Sequence, residues 1–152
     1  MTQDSTTAQE LFARILEVIE FPDNRSDVQN RLMHETLVLA CHEGLKGTRH
    51  GFGNLSSQVD SLCKQHHIKP QDTVAIHLMR RHSNSVAPIL HNDLLHDCRA
   101  LALFISAVFN TSIPSFLVGK IPTEGRRTAN IQIANYKYIR CTVQSWDDKY
   151  IK

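Results

Sequence analysis

Four residues near the middle of the chain, His77, Arg80, Arg81 and Asn84, are of types that hold anions or move protons, and they recur at steps of three or four. On a continuous helix that spacing puts all four on one face, where they would form an ion-pair and hydrogen-bond network or an anion site. The same residues also suit a plain helix end, because basic side chains are favoured at the negative end of the helix dipole and asparagine ends a helix well. Spacing alone leaves both readings open.

Other chemistries lack their patterns. The chain has 9 histidines, yet none forms a His-Glu-x-x-His zinc site or the carboxylate-histidine pair of di-iron bundles. Cys63 with His66 or His67, closed by His96 or Cys98, could make a tetrahedral set; scattered histidines are the better account, and no metal or cofactor is expected. There is no Gly-x-Ser-x-Gly and no cysteine-protease signature. Asp147 and Asp148 are adjacent on an expected strand, so they point to opposite faces. The stretch from Gly47 to Gly53 is rich in glycine but matches no phosphate-binding pattern, and no Walker lysine is present.

The 152 residues suit one domain, and the balance of 41% hydrophobic against 21% charged residues is that of a globular chain. The net charge of +2 hides an asymmetry: residues 1–112 hold 10 Lys+Arg against 12 Asp+Glu, or −2, and residues 113–152 hold 7 against 3, or +4. Phosphates would therefore be met by the tail, whose charges otherwise serve as solvated edge charges of a sheet. No apolar run reaches the roughly 18 residues of a membrane helix. The N-terminus lacks the basic start and apolar stretch of a signal peptide, so a cytoplasmic chain without membrane contact is expected. Its 4 cysteines form no Cys-x-x-Cys and read as reduced, buried thiols.

About five helices must position these groups. The first is capped by Thr6 or Thr7 and runs to about Glu20 with Leu11, Ile15, Leu16 and Ile19 on one face. Ser26 with Gln29 forms a capping-box signature for the second, which ends at Gly44 or Gly47. A third begins near Asn54, a fourth opens at Pro70 and runs to about Arg81, and a strongly apolar fifth spans about Asn92 to Asn110 at the centre of the bundle. After Ile113-Pro114 the period shortens to two, in Ala129–Ala134 and Tyr138–Val143, which predicts a β-hairpin turned near Asn135. The expected fold is mainly α (α+β). It comprises a helical bundle over 1–112 and a basic β-hairpin or small sheet over 113–152, which also fits the start of a following domain.

The run Leu55, Val59, Asp60, Leu62, Cys63, Ile68, Pro70, followed by His77-Leu-Met-Arg-Arg81, Ser83-Asn84 and Val86, then the apolar closing helix, resembles the HEPN-like helical domains attached to restriction-enzyme subunits and DNA helicases. The resemblance covers roughly residues 28–114. His77, Arg81 and Asn84 match its central motif, Val86 and Ala87 fill its small positions, and Pro88 stands where its histidine would be.

The resemblance implies an N-terminal accessory module, itself not an enzyme, of a larger nucleic-acid-processing protein such as an ATP-dependent DNA helicase. The chain would then be a piece of a longer polypeptide that contacts DNA or RNA. Phosphate contacts would fall to Arg126, Arg127, Lys137 and Arg140, with Tyr138 and Trp146 as stacking platforms. Two alternatives remain: a divergent HEPN ribonuclease using Arg81 with His77 or His91, and a pure interaction domain such as a homodimer.

Overall fold

A stripe of Ala8, Leu11, Phe12, Ile15 and Val18, all buried, commits the first segment to a helix that lays this face into the core. In the computed structural model, which describes residues 3–21, 26–46, 53–85 and 89–125, this helix is α1, Gln3–Ile19. It starts ahead of the expected Thr6 or Thr7 cap. Once nucleated, a helix gains a hydrogen bond for each residue it adds, so the polar lead-in continues the helix and the threonines fall inside it.

Helix α2, Ser26–Gly44, buries Met33, Leu37, Ala40 and Cys41. The Ser26 side chain of the expected capping box lies outside the described residues. Gln29 Nε2 donates to the Val18 carbonyl at 3.1 Å, at the end of α1, where that carbonyl also accepts from the Phe21 N–H at 3.3 Å. Gly44 is present for closeness: a Cβ there would lie 2.8 Å from Cγ1 of Val108 and 3.3 Å from the methyls of Leu62.

Helix α3, Leu55–Gln65, opens on Asn54, whose Oδ1 accepts from the Ser57 N–H at 2.9 Å. It closes in a Schellman turn, with the Ile68 N–H on the Cys63 carbonyl and the His67 N–H on that of Lys64. His67 therefore occupies the left-handed position, φ 53°, that glycine usually takes. Helix α4, Pro70–Ser83, begins on its proline and buries Ile76, Met79 and Ser83. Helix α5, His91–Phe109, ends at left-handed Asn110.

Helix α5 is central and packs against α1, α2, α3 and α4. Met33 meets Cys98 sulfur to sulfur at 3.9 Å, and Gly44 meets Val108 farther along, so α2 and α5 run parallel. After Asn110 the chain folds back. Helix α6, Ser115–Val118, is a single turn that drives Leu117 fully into the core, flanked by the partly buried Ile113 and Ile121. Lys120 Nζ then reaches Glu20 at 3.1 Å. Residues 113–121, assigned from sequence to a β extension, are thus helix and strap on the same core; the described residues contain no strand. The hairpin expected near Asn135 lies outside the described residues.

Burial pushes the Cys41 thiol up to about 12, with the neighbouring Cys63 adding to the shift. Burial pushes Cys98 up further still, and Asp97 adds to it. A raised thiol is protonated and unreactive near neutrality, since the thiolate is the nucleophile. Iodoacetamide at about pH 8 should therefore leave Cys41 and Cys98 unmodified in the folded chain and alkylate both in urea, as read by peptide mass mapping. Labelling at equal rates in both conditions would contradict this packing.

Candidate functional site

The C-terminal half of α4 carries the sequence's most reactive set of side chains and turns them toward two neighbouring helices. His77 faces α3, where its Nε2 lies 2.7 Å from Oδ1 of Asp60. One turn on, Arg80 Nε donates to His77 Nδ1 at 3.1 Å. A nitrogen that accepts from a guanidinium carries no proton, so the ring proton sits on Nε2 and is donated to Asp60. The chain of donors runs Arg80 to His77 to Asp60, and both ring nitrogens of His77 are used within it.

Arg80 is half-buried. Burial draws its guanidinium pKa down from the ordinary value; the adjacent Arg81 charge acts in the same direction, and Asp60 opposes both. Arg81 and Asn84 are exposed. Of the four residues expected to form a network, the structure joins His77 and Arg80 by their side chains. Arg81 and Asn84 share the turn without joining the hydrogen-bond chain among the described residues.

His82, between Arg81 and Ser83, turns the other way, toward α5. Its Nδ1 is 2.8 Å from Oδ2 of Asp97. The Asp97 side chain is 4% exposed and that of His82 34%. Sequence reading missed this pair. The available signal was Asp97 itself, a carboxylate between Leu94 and Leu101 on the buried face of the most apolar helix, where it requires a polar partner.

The backbone of this turn is closed by other groups. The Asn84 N–H lies 3.2 Å from the Arg80 carbonyl and 3.3 Å from that of Arg81, and the Ser85 N–H reaches His82 at 3.1 Å. The Ser83 hydroxyl also donates to the Arg80 carbonyl. Asn84 ends the helix at φ −95°, outside the left-handed conformation. On α2, Asn30 Nδ2 approaches the Ser85 carbonyl at 3.4 Å, tying the segment after α4 to the bundle.

His91, the alternative partner for Arg81, is the exposed first residue of α5 and shares no hydrogen bond with Arg81 among the described residues. No three of the described His, Cys, Asp and Glu residues gather as a metal would require, so Cys63, His66, His67, His96 and Cys98 do not form one set. Among the described residues no helix is long and apolar enough to cross a membrane. Arg126, Arg127, Lys137, Tyr138, Arg140 and Trp146 of the expected nucleic-acid surface, and Val86, Ala87 and Pro88 of the family motif, lie outside the described residues. The chain matches no protein-family model, no curated protein and no solved structure.

Proposed function

We propose that this chain is a non-catalytic accessory module of a larger nucleic-acid-processing protein, of the kind attached to an ATP-dependent DNA helicase, and that it supplies contacts to nucleic acid. The reading rests on the resemblance of its central motif to HEPN-like domains and on one observation against catalysis. Both nitrogens of His77 are engaged, by Asp60 and by Arg80, so the imidazole offers no free lone pair for taking a proton from a ribose hydroxyl. The test is incubation of the purified chain with labelled single-stranded RNA and DNA. Intact RNA is expected, together with binding that weakens by about two and a half orders of magnitude or more for a fourfold rise in salt if six or more phosphates are contacted. RNA cleavage that disappears in Arg81→Ala would replace the reading with a ribonuclease.

A second reading, a module that pairs with another protein surface, is favoured by large apolar side chains left open: Leu90, 75% exposed, and Phe116 and Val118, 40% and 50% exposed on either side of buried Leu117. A light-scattering mass of twice the 17.3 kDa chain, with no nucleic-acid affinity, would favour it.

A further inference from the structure

After Asn110 the chain runs back along the helix it has just completed. The Ser106 hydroxyl donates to the Thr111 carbonyl, Lys120 reaches Glu20 at the end of α1, and a Cβ at Gly125 would stand 3.2 Å from a guanidinium nitrogen of Arg99. Ser106 and Arg99 lie about two turns apart on one stripe of α5, so from Thr111 to Gly125 the strap travels toward the start of that helix. The next position on the stripe is the half-buried Leu95. Just before the helix stands Leu90, 75% exposed and the most open of the large apolar side chains among the described residues. The described chain stops at Gly125, and the sequence continues Arg126-Arg-Thr-Ala-Asn-Ile-Gln-Ile-Ala134. Ala129, Ile131 and Ile133 alternate with Asn130 and Gln132, a pattern that in an extended segment gives one apolar edge and one polar edge. From Arg99 back to Leu90 the helix axis covers about 13 Å, a distance that about four extended residues span. Continued in its own direction from Gly125, the chain thus brings Ala129 abreast of Leu90, with the two isoleucines following. The tether also favours this segment over a second molecule, because a short linker holds it at a high effective concentration.

We propose that the start of α5, through Leu90 and Leu95, is the docking site for residues 129–133 of this same chain, with Ala129, Ile131 and Ile133 as the side chains that cover it. The inference stands apart from the nucleic-acid reading. It withdraws Leu90 from the surface offered to another protein and leaves Phe116 and Val118 there.

The test is photo-cross-linking in the full chain with p-benzoylphenylalanine in place of Leu90, followed by digestion and mass spectrometry. The expected product keeps the mass of one chain and joins position 90 to the peptide that carries Ile131 and Ile133. Ile131→Asp and Ile133→Asp together should remove that product. The same label in place of Val118, which is also exposed, serves as the comparison and should not give it. Both labelled positions face solvent, so neither label disturbs the core. A product joining two chains would assign Leu90 to a second copy and overturn the proposal. A product with another segment, no product at all, or equal linkage of 129–133 from position 118 would overturn it as well.

Discussion

Leu117→Ala should lower the free energy of unfolding by about 2–4 kcal/mol, measured by urea denaturation, whereas Val118→Ala next to it should stay within about 0.5 kcal/mol. Leu117 is fully buried although its helix has only four residues. Such a helix has no stability of its own, since a single turn fixes several residues for one or two hydrogen bonds. Its position is held by the side chain it inserts, with Ile113 and Ile121 on either side and the Lys120–Glu20 contact beyond. Truncating Leu117 leaves a hole that a strap tied at both ends cannot fully close. A midpoint unchanged in Leu117→Ala would show that residues 113–121 are not part of the folding unit.

The second large effect is an asymmetry between the two members of the His82–Asp97 pair. His82→Ala should cost about 2–4 kcal/mol, and Asp97→Asn distinctly less. Removing the imidazole takes a donor from a carboxylate that water hardly reaches, with only its remaining contacts to offset the loss. Replacing the carboxylate by an amide keeps an oxygen acceptor for the Nδ1–H, and the half-exposed imidazole can turn to water in any case. Thermal or urea unfolding of both variants at one pH measures the difference. Equal losses would mean that the pair contributes by packing alone.

Helices α3, α4 and α5 were legible because their punctuation is local: Asn54 as cap, Pro70 at a first position, and an apolar run ending at Asn110. The beginning of α1 was not, since a polar lead-in carries no period to read. Helix α6 escaped for a related reason: four residues are too few to show a repeat, and Ile113-Pro114 reads as an ending. At the site, the contact of His77 with Arg80 follows from a spacing of three. Their partner Asp60 lies 17 residues back on another helix, and Asp97 lies 15 residues beyond His82, so tertiary packing decides both. Gln29 adds a contact that its local motif does not announce, because the Val18 carbonyl on α1 lies within reach of its Nε2.

The contacts of α1 with α5 and with Lys120 bear on the order in which the molecule can be made. Helix α1 packs against α5, and Glu20 meets Lys120 across 100 residues. As the chain leaves the ribosome, α1 can find α2 at once, but its apolar stripe must wait for most of the remaining sequence before α5 covers it. Closing so long a loop adds little to the free energy, since that cost grows only with the logarithm of length, yet non-local docking slows folding. Completion of the core therefore follows the emergence of residues 91–121.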